Sequence, residues 1–200
     1  MTQISINRKN RTRDIANIVF FVASVICGTL LINAFVFRSY SIVGRSMENT
    51  FYQNDRVIVN RLPVTWAQIK NTPYVPKRGD IIVFENPQNA SRQQDRYLIK
   101  RVVGLPGDTV NLKNNKLTIT NKEHPEGFNP NDQLKDEMSA LVSGEVDNVK
   151  VQDNHLFVIG DHREGSHSYD SRNGLGQVPF HLVIGPVNMR LFPLTHFRFF

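Results

Sequence analysis

From Ile15 to Phe37 the chain reads IANIVFFVASVICGTLLINAFVF, without one charged residue. Only Asn17, Ser24, Thr29 and Asn33 interrupt it as polar side chains. As a helix rising about 1.5 Å per residue, the run reaches roughly 35 Å, enough to cross a hydrocarbon core about 30 Å thick. A soluble core helix of that length is unusual. A cleaved leader has a shorter apolar region, about 7 to 15 residues, and a small-x-small exit, whereas this run leaves through FVFRSY. The reading is an uncleaved transmembrane helix over 15–37, behind a basic tail over 1–14. Arg8, Lys9, Arg11 and Arg13 stand in that tail against Asp14 alone. The excess of cations places the N-terminus in the cytoplasm and everything from Arg38 onward outside.

That tail also accounts for half of the formal net charge of +6. The remainder is close to balanced and carries no basic stripe interleaved with aromatic residues, so nucleic acid is not an expected partner. The single cysteine, Cys27, falls inside the apolar run. No disulfide is available to the outer domain, whose core and strand pairing must suffice.

From residue 38 to 200 the chain is punctuated as strands: short β-branched runs separated by Gly, Pro, Asn or Asp. They are RVIVN at 56–60, DIIVF at 80–84, YLIKRVV at 97–103, TVNL at 109–112, KLTIT at 116–120, HLFVI at 155–159 and LVIGPVNMRLF at 182–192. TVNL and KLTIT are joined by Lys113-Asn114-Asn115, a hairpin signal. The fold class is mostly β, one catalytic-size domain behind one N-terminal helix. Residues 61–77 read as a loop with one helical turn, and 121–153 as a polar insertion or excursion from the sheet. There is no internal repeat.

Three stretches offer chemistry. SIVGRSMENTF at 41–51 presents Ser46 just after the apolar run, but a serine is a poor nucleophile until a base takes its proton. None of the six histidines lies in a recognisable protease setting, and Ser46 is not in a Gly-x-Ser-x-Gly elbow. His162 and His167 with Asp161 and Asp170 fit no established ligand spacing, so no metal is expected. Lys100 stands in the apolar strand YLIKRVV, where alternation sets it and Arg101 on opposite faces, one of them inward. A solvated lysine is neutral only about one time in 2,500 at pH 7, whereas burial lowers its pKa and frees it to act as a base. Taken alone, Lys100 reads sooner as the solvated face of an edge strand than as a base. The third stretch, GDHREGSHSYDSRNGLG at 160–176, has the composition of a tightly tied loop in which Asp170 and Arg172 can pair.

Together these stretches resemble the type I signal peptidase family, membrane-bound serine proteases with a Ser/Lys dyad, in a compact bacterial, Gram-positive-like form. The resemblance rests on the anchor, Ser46-Met47 with Thr50, Arg78-Gly79-Asp80 before IIVF, Lys100-Arg101-Val102 with Gly104, Pro106, Gly107 and Asp108, and Gly160-Asp161, Arg163, Ser168, Asp170, Ser171, Arg172 and Gly174. It implies Ser46 as nucleophile and Lys100 as neutral general base. Ser168 would hydrogen-bond near the lysine and orient it, while Asp170 and Arg172 would support the loop. The Ser46 N–H would serve the oxyanion, with Gly44 where some members carry a second, hydroxyl donor. Ile42 and Met47 are candidate walls of the substrate pocket, and no cofactor is implied. Three departures stand out: Asn49 replaces a common proline and removes a rigid turn, His162 replaces an asparagine, and about two extra residues precede Ser168.

The implied partners are secretory preproteins with small residues before the cut, and the phospholipid membrane. Ser46 comes nine positions after Phe37, at most about 30 Å when extended, so the site should lie near the membrane surface. Phe51, Phe192, Phe197, Phe199 and Phe200 are candidates to dip into it. Two other readings compete: a self-cleaving repressor-type Ser/Lys protease, which the anchor argues against, and a non-catalytic signal-peptidase-like assembly factor or chaperone for surface or pilus proteins.

Overall fold

The computed structural model describes residues 3–88, 96–133, 142–165 and 168–200. Helix α1 spans Gln3–Phe35 without a break, so the basic tail continues the same helix as the apolar run. Within it, Arg11–Phe35 holds the apolar stretch, with a mean hydropathy of 2.5 and none of that stretch buried among the described residues; only its last turn touches the rest of the protein. Ser24 Oγ donates to Phe21 O at 2.7 Å and Thr29 Oγ1 to Val25 O at 2.8 Å. Two of the polar interruptions are thus satisfied inside the helix, as an apolar surrounding demands. The helix stops two residues short of the run's end, because Phe37 is taken into a strand.

That strand, β1 (Phe37–Ser41), pairs antiparallel with β2 (Arg56–Asn60). A two-turn helix, α2 (Leu62–Ile69), replaces the single turn expected after it. The main sheet adds β3 (Ile81–Glu85), β4 (Tyr97–Gly104), β8 (His155–Ile159), β9 (Val178–Pro179) and β10 (Val183–Phe192) in the order β1-β2-β10-β3-β4-β8-β9, with β11 (Arg198–Phe199) on β10. The long β10 joins the two halves. Its first part pairs with β3 and its second with β2, with register shifts within each pairing.

The main sheet is buried on both faces. Ile82, Phe84, Val102 and Val158 pack on one cluster, and Val57, Val59, Ile81, Val83 and Val187 on another with Ile42, Met47 and Phe51. Two-sided burial explains the near-continuous apolar runs, and it removes the choice set by alternation in β4. Lys100 and Arg101 are both inside, 3% and 2% exposed.

A second sheet of β5 (Thr109–Lys113), β6 (Lys116–Thr120) and β7 (Val146–Lys150) runs in the order β6-β5-β7. Asn114 and Asn115 both have positive φ, 52° and 60°, as a two-residue type I′ hairpin requires. The region 121–153 is therefore corrected: among its described residues, β7 completes this sheet, and Phe128 bridges Ile119. Only Val146 and Val149 of β7 face apolar neighbours, too few to show a period in sequence. Residues 134–141 of that region lie outside the described residues.

The sheets meet at Gly104, where an added Cβ would lie 2.8 Å from Phe157 Cβ, 3.0 Å from Val151 Cγ2 and 3.1 Å from Val110 Cγ2. Overpacking of this kind costs about 1–3 kcal/mol. Gly104→Ala should lower the melting temperature by several degrees in thermal unfolding, and an unchanged midpoint would refute this account of the junction.

Candidate active site

Ser46 opens a pair of tight turns between β1 and β2. Glu48 N donates to Arg45 O at 3.0 Å, and Met47 O accepts from Thr50 N at 3.0 Å and Phe51 N at 2.7 Å. Asn49 occupies the third position of the second turn with φ 79°, a conformation that Asn tolerates and proline cannot adopt. The turn is fixed from outside as well. Gly44 N donates to Gln53 Oε1 at 2.7 Å, and Arg45 Nε to Glu48 Oε1 at 2.7 Å. His162 N donates to Ser46 O at 3.1 Å, while its Nδ1 lies 3.2 Å from Glu48 Oε2. The fully buried Phe51 ring packs on Phe200 at 4.8 Å between centroids, and so is withdrawn from any bilayer.

Strand β4 brings Lys100 Nζ to 2.6 Å from Ser46 Oγ. Burial pulls this amine from 10.5 down to about 8, against the opposing pull of Asp170 and Asp161. At pH 7 about one molecule in ten then carries a neutral Lys100. The pair sits at one end of a cleft of about 220 Å³ lined by Tyr40, Ile42, Val43, Val83, Tyr97 and Ile99, among others. Ile42 thus lines the cleft. Met47 does not; its side chain is packed into the core beneath.

The loop after β8 closes the third side. Asp161 accepts both Arg101 Nε at 2.9 Å and Arg101 Nη2 at 2.7 Å, and also Thr50 Oγ1 at 2.6 Å. One buried carboxylate therefore ties the Ser46 turn, the Lys100 strand and this loop together. Asp170 is held in a two-point pair with Arg172, Nε to Oδ1 at 3.0 Å and Nη2 to Oδ2 at 2.7 Å, and accepts Gly160 N at 3.0 Å. Burial alone would raise the Asp170 carboxyl, but Arg172 outweighs it and holds the group below the usual range. A Cβ on Gly160 would fall on Ser46 O and Ser168 Oγ, so only glycine lets the loop lie this close.

Ser168 departs from the expected geometry. Its hydroxyl is buried beside Gly160 and helps hold the Asp170 carboxyl down, but among the described residues it forms no hydrogen bond of ordinary geometry, to Lys100 or to any other group. Among the described residues, the hydrogen bond of Lys100 Nζ runs to Ser46 Oγ. His167 lies outside the described residues, and no group of three metal-ligating side chains occurs among those described.

Residues 13–192 match the family described as signal peptidase, peptidase S26. The chain belongs to the signal peptidase S26 family. Signal peptidase I P of Bacillus subtilis subsp. natto is 32% identical over 190 residues, covering 93% of this chain and 95% of that relative. Signal peptidase I of Bacillus licheniformis is 32% identical over 197 residues, covering 97% and 96%. A crystal structure of a signal peptidase I from Enterococcus faecalis V583 is 25% identical, covers 57% of this chain and 98% of that one, and has a TM-score of 0.38.

For a signal peptidase, the parts missed in sequence are the supports. Thr50, Arg101, Asp161 and Gly160 all stand in the quoted motifs, yet their joint contact across 111 positions of chain is invisible there. The one available signal was Arg101 itself, a second cation in an apolar strand that must find a carboxylate. Without a proline, the turn at Asn49 is defined by its hydrogen bonds to Met47 O and by the positive φ. Asn49→Pro should therefore impair both folding and activity, by more than 1 kcal/mol in chemical unfolding, whereas Asn49→Gly should be close to neutral. A fully active, equally stable Asn49→Pro protein would overturn this description.

Proposed function

We propose that this chain is a membrane-anchored serine endopeptidase that removes N-terminal signal peptides from exported preproteins, with Ser46 as nucleophile and Lys100 as general base. The observation that carries it is the 2.6 Å approach of a buried amine, pulled down to about 8, to the hydroxyl of Ser46. Neutral Lys100 accepts the Ser46 proton as Oγ attacks the scissile carbonyl. The acyl-enzyme forms, the mature protein leaves, and water activated by the same amine releases the leader. The Ser46 N–H, which meets no acceptor among the described residues, is placed to receive the oxyanion.

The cleft suits an extended peptide. On one side β1 is the edge of its sheet, and on the other β4 pairs with β8 only from Arg101 onward, leaving the outer edge of Tyr97–Lys100 open. A substrate strand laid between them would gain main-chain hydrogen bonds from both edges. With only about 220 Å³ available, walls of Tyr40, Ile42 and Val83 favour small side chains before the cut. Ser168 is proposed as the spare acceptor for the Lys100 ammonium, and Asp170 with Arg172 as the brace of its loop. We further assign 1–14 to a cytoplasmic tail, 15–37 to the anchor and 38–200 to an extracytoplasmic catalytic domain.

Cleavage of a model preprotein by wild type, Ser46→Ala and Lys100→Met tests the dyad. Each variant should lose at least about 10³-fold in kcat/KM, and normal processing by either would remove that residue from the chemistry. An inactive wild type that still binds preprotein would favour the assembly-factor reading.

The pKa of Lys100 adds two signed expectations. Wild-type kcat/KM should rise with pH through about 8 as the amine loses its proton; a flat profile would argue against Lys100 as base. Because its folded pKa lies below the unfolded one, the folded state carries the full penalty of burying the charge below pH 8, on the order of 1–3 kcal/mol. That penalty is relieved between about 8 and 10.5. Lys100→Met should therefore melt a few degrees higher than wild type at pH 7, with the difference shrinking as pH rises; a lower melting point at pH 7 would contradict it.

A further inference from the structure

Helix α2 follows β2 directly and is tied to the end of the apolar helix. Arg61 Nη1 donates to Ala34 O, Thr65 Oγ1 to Phe35 O at 2.9 Å, and Arg61 N to Val36 O at 2.8 Å. The last carbonyls of α1 have no partner of their own kind further along, and α2 supplies it. At about 1.5 Å per residue α2 is about 12 Å long, so none of its residues lies farther than that from the anchor's last turn.

Its side chains divide sharply. Val64 is buried, whereas Leu62, Trp66 and Ile69 are 47%, 60% and 67% exposed. At 100° per residue these three fall within about 60° of arc, on the side opposite Val64. The result is a continuous apolar stripe on an otherwise ordinary surface helix. Lys70, at its C-terminal end, holds Nζ over the Trp66 ring at 5.1 Å. A tryptophan capped by a lysine, at the height where a membrane span ends, has the composition of a bilayer interface.

We propose that α2 is a second, interfacial membrane contact, laying Leu62, Trp66 and Ile69 into the headgroup layer beside the anchor and fixing the tilt of the outer domain. The inference rests on α1 being the membrane anchor. The occupant of the stripe is lipid, because the stripe is continuous with the segment already in lipid and bonded to its last turn. An anchor alone leaves the domain free to pivot; two contacts bonded to each other do not.

Trp66 is the only tryptophan in the chain, so its fluorescence reports this helix without labelling. The full-length protein is reconstituted in phosphatidylcholine–phosphatidylglycerol vesicles, with bromine on the acyl chains either near the headgroups or near the methyl ends. Shallow bromine should quench Trp66 strongly, deep bromine weakly and aqueous iodide hardly at all. In Leu62→Asp/Ile69→Asp, whose fold is checked by circular dichroism, emission should shift red and iodide quenching should return. Iodide quenching of wild type, in protein that resists alkaline extraction from the vesicles, would overturn the proposal while leaving the anchor standing. Release by alkaline extraction would overturn both. Protection from bromine and iodide alike that is lost on dilution into excess lipid would assign the stripe to a second copy and also overturn it.

Discussion

The arrangement of this molecule depends on one buried carboxylate. Asp161 takes two hydrogen bonds from Arg101 and one from Thr50, so it is bonded to the residue after Lys100 and to the turn that carries Ser46. Breaking a buried pair by removing one partner costs about 3–5 kcal/mol, because the other charge is left stranded. The energy matters less than the geometry. Ser46 and Lys100 come from segments 54 positions apart, and without a common third point their separation would drift with every motion of the turn. Thr50 extends the link, since its carbonyl accepts Arg190 Nη1 at 2.9 Å, and Arg190 in turn reaches Asp55. The turn is therefore held from the loop on one side and from β10 on the other.

The same cluster sets the charge state on which the chemistry depends. Among the described residues, Lys100, Arg101, Arg163 and Arg172 are buried around two buried carboxylates, Asp161 and Asp170. Burial draws even Arg163 down, to about 10, with Asp161 opposing. Arginine cannot shed its proton at ordinary pH, so the group that yields is the lysine. Each carboxylate is already engaged in two-point contact with an arginine, Asp161 with Arg101 and Asp170 with Arg172. Neither is left to stabilise an ammonium directly. The arginines thus support the site twice, by fixing the loop and, through Arg172, by opposing the pull of Asp170 and Asp161 on the Lys100 ammonium.

Much of the fold could be read from the residues, and the reasons for the failures are physical. Strands such as RVIVN and HLFVI announce themselves because two buried faces demand apolar residues throughout. The Asn114-Asn115 turn is legible because few residues adopt positive φ twice in succession. β1 was hidden, since FRSYS follows the anchor without punctuation and its burial alternates only weakly. β7 was hidden by its polar exposed face. α2 reads as no more than one turn because Pro63 and the β-branched Val64 and Thr65 weigh against a helix, whereas Pro is tolerated in a first turn and the end of α1 supplies tertiary bonds. At the site, Ser46 and Lys100 were visible as residue types in motifs, but the supports at Thr50, Arg101 and Gly160 act only through contacts that the fold creates. Ser168 shows the converse: the motif position is legible, while the hydrogen bond implied for it near Lys100 is absent among the described residues.

The departures at Asn49 and His162 are best understood together. A proline restricts a turn through its own ring, without needing any neighbour. Asn49 restricts nothing by itself, and its positive φ carries a cost that a glycine would avoid. What offsets that cost here is external: His162 N on Ser46 O, and the His162 ring beside Glu48, which Arg45 also engages. The substitutions lie on opposite sides of the same contact. A turn without the proline ring is held by its own hydrogen bonds to Met47 O and also by the loop that faces it, so the nucleophile's position is in part a property of the assembled domain. Any disturbance of the 160–163 backbone then reaches Ser46 through the bond from His162 N to Ser46 O.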